Sequence, residues 1–231
     1  NIEVIGVDCH IGSQLTEIGP FLETFDRISM LVEQLRAEGF SIRYLDLGGG
    51  LGIRYLDETP PPPEEYAREI SKKARSIGLT MIFEPGRVIV GNAAVLLTRV
   101  LFTKRNEKKR FIIVDAGMND LIRPSLYDSY HSIQPVRLTD REEHVVDVVG
   151  PICESGDFLA RDRLFPEAQP GELLAVMSAG AYGFSMSSNY NSRPRPAEVL
   201  VSGPDIHIIR EKEKYETLIQ GEYIPDFLWR T

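Results

Sequence analysis

Cysteine is nearly absent from this chain of 231 residues: only Cys9 and Cys153 occur, far apart and in dissimilar surroundings. Two isolated thiols make no disulfide scaffold and point to a reducing, cytoplasmic setting. With no histidines at ligand spacing nearby, they do not make a zinc site either, and no metal is expected. An excess of basic residues is missing too. The formal net charge is −8, so the footprint that binds a nucleic-acid backbone is not there and no such partner is expected. No apolar run approaches the roughly 20 residues that a membrane helix needs. The start, Asn1-Ile-Glu-Val-Ile-Gly6, lacks the charged and apolar regions of a signal peptide, and it lacks an initiator Met. It begins inside an apparent strand, so the chain is expected to be a piece of a longer protein.

What is present is enough apolar residue, 42%, to bury one large core or two small ones. The first ninety or so residues alternate strand and helix. Ile2 to Cys9 is an apolar, β-branched run. From Pro20 to Glu38, Phe21, Phe25, Ile28, Leu31, Val32 and Leu35 recur at helical spacing and predict one buried face, closed by Gly39. Ser41 to Leu47 reads as a strand ending in Gly48-Gly-Gly-Leu-Gly52. Prolines 60–63 lead into a helix over Glu64 to Ser76, ended by Gly78, and Thr80 to Phe83 is a third strand running into Glu84-Pro-Gly-Arg87. This order implies parallel strands with helical crossovers, which carry their sites beyond the strands' C-terminal ends. After about Gly91 the pattern changes. Ala94 to Phe102, Phe111 to Asp115, His144 to Val149, Leu173 to Ser178, Glu198 to Ser202 and Ile206 to Ile209 read as strands separated by turns, which predicts an antiparallel β domain. The expected division is 1–91 and 92–231.

The polar clusters fall where such a fold would use them. Glycines 48–50 permit backbone N–H groups to encircle a phosphate, although a tight turn explains them as well. A dinucleotide loop would need G-x-G-x-x-G opening into a helix, and that spacing is absent. Glu84-Pro-Gly-Arg87 sets an acid and a base at a strand end. The carboxylate suits a protonated ring nitrogen and the guanidinium suits a phosphate or carboxylate, or the two form a local ion pair. His10, at the matching place after the first strand, suits stacking on a flat cofactor or a structural role, and Ser13 can donate to phosphate. Cys9 reads as core packing. Cys153-Glu-Ser-Gly-Asp157 sets a thiol beside two acids, whose like charge suits a proton donor better than a thiolate nucleophile, unless the cysteine is simply buried in a turn. Arg123 and Tyr127, four apart, can share a short helix face and bind a carboxylate. Tyr182, in Gly180-Ala-Tyr-Gly183, has small neighbours that leave its ring accessible, or is an ordinary sheet aromatic.

Taken in order, HIGSQ, GGGLG, EPGR, MNDLIRP with LY, CESGD and AYG resemble the fold-type III pyridoxal-phosphate-dependent amino-acid decarboxylases over essentially the whole chain. Met118-Asn-Asp-Leu-Ile-Arg-Pro124 and Glu154, where polyamine-forming members carry aspartate, resemble the diaminopimelate branch. A carboxynorspermidine, ornithine or arginine type is the enzyme alternative, and a non-catalytic regulatory homologue the other. The resemblance implies the C-terminal part of an alanine-racemase-like (β/α)8 barrel followed by a β-sandwich or barrel domain, in a homodimer with shared sites. It implies that His10, Ser13, Gly48, Gly49, Gly50, Glu84, Gly86, Arg87 and Tyr182 contact pyridoxal 5'-phosphate. Arg87, Arg123, Tyr127, Glu154 and Tyr182 would contact an amino-acid substrate, and Cys153 would be the catalytic proton donor. The family's cofactor-bearing lysine lies in an Ala-x-Lys-Ala-Asn-like setting. None of lysines 72, 73, 104, 108, 109, 212 and 214 has it, so the chain alone is expected to be inactive.

Overall fold

The computed structural model describes residues 2–229 and divides the chain into two compact units. The first comprises Asn1–Leu97, Tyr130–Gln134 and Ala175–Tyr182, and the second Thr98–Ser129, Pro135–Leu174 and Gly183–Thr231.

The first unit runs β1 (Gly6–Asp8), α1 (Gly19–Ala37), β2 (Tyr44–Asp46), α2 (Pro63–Ile77), β3 (Thr80–Ile82) and a short α3 (Arg87–Val90). The three strands pair in the order β1-β2-β3, all parallel. Proline lies in the first turn of both long helices, where its missing N–H costs nothing and its fixed φ suits the turn. Glu64 and Glu65 then sit at the positive end of the α2 dipole and Arg75 at its negative end. Gly78 stops α2 in a left-handed conformation, φ 61°, that a side chain would resist. Phe21, Phe25 and Val32 of α1 are buried, and the two phenylalanines join Leu45, Leu47, Leu51 and Ile70 in one core. Each such side chain contributes about 1.5–3 kcal/mol on burial. Leu31, which the spacing assigns to that face, is 40% exposed, because it lies at the margin of the stripe. Cys9 packs against the core, and burial pushes its thiol up, helped by the charges of Asp8 and Asp46.

Strand register sets the positions of the loops beyond the sheet. Gly6, Tyr44 and Thr80 align, and so do Asp8, Asp46 and Ile82. His10, Gly48 and Glu84 therefore each lie two residues beyond the end of an aligned strand. The ladder continues past the strands, with Cys9 N–H donating to Asp46 O (3.0 Å), Leu47 N–H to Ile82 O (3.2 Å) and Glu84 N–H to Gly48 O (2.9 Å).

Downstream come β4 (Leu96–Arg105), β5 (Arg110–Val114), α4 (Arg123–Tyr127), β6 (Ile133–Pro135), β7 (Glu143–Val149), β8 (Phe158–Pro166) and β9 (Leu173–Val176). Then follow β10 (Glu198–Ser202), β11 (Asp205–Arg210) and α5 (Tyr215–Leu218). A six-stranded sheet has the order β6-β9-β4-β5-β7-β8. Val100, Ile112, Val114, Val148, Leu159 and Leu174 are buried in the second unit. The sheet is mixed where antiparallel pairing is predicted: β5 and β7 are parallel. A parallel pair needs a crossover of about a dozen residues or more, which the stretch carrying α4 and β6 supplies. Strands β6 and β8 are additional to those predicted. The antiparallel ribbon β10–β11 stands apart from the sheet and is exposed on both faces.

Candidate functional site

In the first unit the three aligned strand ends pack so closely that glycine is required. A Cβ on Gly48 would lie 2.8 Å from His10 Nδ1, one on Gly49 would strike the Glu84 carbonyl, and one on Gly50 would strike the Gly12 carbonyl. Gly50 also has φ +103°, which L side chains resist. The loop is thereby locked between its neighbours. Gly49 N–H donates to His10 Nδ1 (3.3 Å), which fixes the exposed imidazole at the loop's side, and Gly48 N–H donates to Asp46 Oδ1 (2.8 Å). Gln14 clamps the far end, donating to Ile53 O (2.6 Å) and accepting from Ile53 N–H (3.1 Å).

Arg87 joins these loops at the start of α3. Its Nη2 donates to Ser13 Oγ (2.9 Å) and its Nη1 to Tyr55 Oη (2.5 Å). The guanidinium lies 5.7 Å from the Tyr55 ring centroid and 5.0 Å from that of Tyr182. Such stacking favours a fixed cation. Tyr182 itself has φ +62°, rare for a bulky residue and often found where a side chain is held for function. Arg87 Nε is buried without a hydrogen-bond partner, a costly state for a charged donor. Beside it, nothing lies within 4 Å of where a Cβ would stand on Gly12 or Gly86. The Glu84 side chain is exposed and has no hydrogen bond or ion pair among the described residues. The unit thus presents an orphaned cationic donor, a hydroxyl, a free carboxylate and open space along one edge. That donor set fits a flat, anionic cofactor carrying a basic ring nitrogen.

The second unit gathers the other predicted residues around Asp157. This carboxylate is 4% exposed and accepts from Met118 N–H (2.7 Å) and Ile152 N–H (2.6 Å). It ties the Met118–Pro124 segment to the Gly150–Asp157 loop. Gly150 lies so close to the carboxylate that a Cβ there would collide with it, and a Cβ on Gly156 would lie 2.7 Å from Ser125 Oγ on α4. Cys153 and Glu154 stand exposed on the loop, so the cysteine is not a buried structural one. Arg123 and Tyr127 do share α4, but Arg123 is buried and Tyr127 is 61% exposed. Asp120 accepts from Gly117 N–H (2.9 Å), and burial pushes its carboxyl above the usual range.

Several contributors escape sequence reasoning. Tyr55 holds Arg87, Asp157 carries the second loop, and Tyr190 donates to Glu154 Oε2 at 3.2 Å. Asp157 stands inside the CESGD motif. For Tyr55 and Tyr190 the only signal is an aromatic in a polar loop. Of the lysines, Lys72 pairs with Glu69 (2.8 Å), Lys73 with Asp26 (2.5 Å) and Lys109 with Asp147 (2.7 Å). Among the described residues no cluster of three or more His, Cys, Asp or Glu could hold a metal ion, and no helix is long and apolar enough to cross a membrane.

Residues 9–180 match the family model described as pyridoxal-dependent decarboxylase, C-terminal sheet domain. The chain is 57% identical over 222 residues to the diaminopimelate decarboxylase of Pseudomonas aeruginosa, covering 96% of this chain and 53% of that protein. Among solved structures, one from Aquifex aeolicus superposes with a TM-score of 0.91 at 52% identity, covering 94% of this chain and 54% of that one. The diaminopimelate decarboxylase of Helicobacter pylori, complexed with L-lysine, superposes with a TM-score of 0.87 at 43% identity, covering 94% and 54%. The chain spans about half the length of the relatives it matches.

Proposed function

Since the chain belongs to the pyridoxal-dependent decarboxylase family, we propose that its protein removes a carboxylate from meso-2,6-diaminopimelate to release L-lysine and CO2. The observation that carries this reading is the convergence of His10, Gly48 and Glu84 on one strand edge, next to the orphaned Nε of Arg87. In this reading residues 1–91 are the last strands and helices of a (β/α)8 barrel, and residues 92–231 are a β domain of sandwich or barrel type.

The residues divide the work by their chemistry. Ser13 and the Gly48–Gly50 loop would hold the phosphate of pyridoxal 5'-phosphate, with Gly48 and Gly49, whose N–H groups go to Asp46 and His10, shaping the loop and Gly86 leaving room beside it. His10 lies against the ring, and Glu84 keeps the ring nitrogen protonated. When bound, the cofactor supplies a sink for the electron pair left behind as CO2 departs. Arg87 and Tyr182 line the ring's surroundings and meet the substrate. Arg123 and Tyr127 bind carboxylate oxygens, for which a guanidinium and a phenol are good donors. Glu154 reads the distal ammonium, which distinguishes diaminopimelate from amino acids without one. Cys153 delivers the proton that replaces the carboxylate. Cys153 and Glu154 act in the site of a second copy, in a cytoplasmic homodimer.

The test is direct. Full-length protein with pyridoxal 5'-phosphate and meso-diaminopimelate should release lysine and CO2 in equal amounts. No lysine, with turnover of carboxynorspermidine or ornithine instead, would overturn the reading. The 231-residue chain alone, given the same cofactor and substrate, is expected to release none.

A further inference from the structure

Tyr190 belongs to none of the six motifs, and its surroundings show a residue held in place. The loop that carries it is fastened on both sides. Ser188 N–H donates to Asn119 O (2.9 Å), and Arg193 donates through Nε to Asn119 Oδ1 (3.0 Å) and through Nη2 to Asp115 O (2.5 Å). Asn119 is itself 1% exposed and sits in the segment that leads to Arg123. Asn189 Nδ2 donates to Arg193 O (3.0 Å) and Glu213 Oε2 (2.6 Å), closing the loop on itself. Asn191 and Ser192 have φ of 58° and 54°, left-handed backbone at two consecutive residues with side chains. Strain of this kind persists only where the surroundings over-determine it.

From that anchored loop the Tyr190 hydroxyl donates to Glu154 Oε2 (3.2 Å), while Gly156 N–H donates to Glu154 Oε1 (3.3 Å). Each carboxylate oxygen therefore has one protein donor and a lone pair to spare. Held at both oxygens, the carboxylate offers an ammonium ion a preset acceptor, where a free glutamate would have to be ordered on binding. The Glu154 hydrogen bond pushes the Tyr190 phenol above its ordinary range.

We propose that Tyr190 is a specificity-determining positioning residue, which fixes the Glu154 carboxylate for the distal ammonium of the substrate. The inference rests on the decarboxylase reading and deepens it. Its test uses the full-length holoenzyme, the variant Tyr190→Phe, and two substrates: meso-diaminopimelate and 2-aminopimelate, which lacks the distal amine. Losing a donor to a charged group corresponds to roughly a tenfold change. The expected result is KM for diaminopimelate raised about tenfold with kcat changed less than about twofold, and kcat/KM for 2-aminopimelate unchanged. That unchanged value also shows the variant to be folded and loaded with cofactor. An equal loss on both substrates would make Tyr190 merely structural and overturn the proposal, as would no loss on either. If the wild-type protein fails to decarboxylate diaminopimelate, the reading beneath the proposal falls, which is a different outcome from a silent variant of an active enzyme.

Discussion

The loop at Gly48–Gly52 is set chiefly by the close approach of backbone to backbone, whereas the loop at Gly150–Asp157 is held by one buried side chain. In the first unit, glycines bring the loop onto the carbonyls of Glu84 and Gly12, while the Glu84 carboxylate has no partner among the described residues. In the second, a single carboxylate gathers N–H groups from two segments and fixes Cys153 and Glu154 through the chain between them. The difference suits the proposed ligands. A phosphate needs a loop whose backbone can come close to it, which glycine permits, while a thiol and a carboxylate need only a rigid base. Steric closeness gives the first loop one geometry. Hydrogen bonding gives the second a geometry that depends on one group being present.

The comparison can be broken most severely at Gly50. Alanine there meets both an unfavourable φ and the Gly12 carbonyl, so Gly50→Ala should cost about 3 kcal/mol by urea denaturation. A loss below about 1 kcal/mol would mean the loops part freely. Asp157→Asn comes next, at about 2 kcal/mol, because the amide turns an N–H toward one of two buried backbone donors. If it is neutral, the carboxylate is not the fastening. A smaller effect should appear in alkali. Burial among Phe21 and Phe83 pushes the Tyr66 phenol up to about 12, with Cys9 adding to it. The unfolded phenol ionises near 10, so this part of the first unit's stability is complete below pH 10 and is lost as pH rises toward 12. Absorbance at 295 nm tracks that ionisation, and a midpoint for Tyr66 near 10 would remove the argument. The smallest effect should come in acid. Glu213 accepts from Arg195 N–H (2.8 Å), which leads the causes holding its carboxyl below the usual range, and also from Asn189. Its contribution is present above the unfolded value of about 4.3 and is lost as pH falls through the folded one. Glu213→Gln should flatten the acid limb of a pH–stability curve without altering the alkaline limb. An unchanged acid limb would assign the loss to other groups.

The sequence is informative wherever local chemistry and long-range packing agree. The order β1, α1, β2, α2, β3 is legible because apolar spacing, prolines and glycines mark each element without reference to the rest. The parallel register that brings His10, Gly48 and Glu84 together is a consequence of that order. Strand β8 is not legible, since Arg161, Asp162 and Arg163 interrupt the apolar pattern of Phe158–Pro166 while its backbone pairs with β7. Strand β6 is three residues long and ends in Pro135, which suits its edge position and gives no strand signal. The parallel pairing of β5 and β7 is a property of where the chain returns, and composition carries no trace of it. The site divides similarly. Residues inside motifs are legible, while Tyr55 and Tyr190 act through contacts with residues 32 and 36 positions away.

The ribbon β10–β11 has a consequence for handling the chain. Val199, Val201, Ile206, Ile208 and Ile209 are between 49% and 72% exposed along two short antiparallel strands with free edges. A β-branched segment of this kind is a template for adding strands from other molecules. Solutions of the 231-residue chain should therefore become turbid with rising concentration and bind an amyloid dye. Lysine at Val201 and Ile208 should delay both.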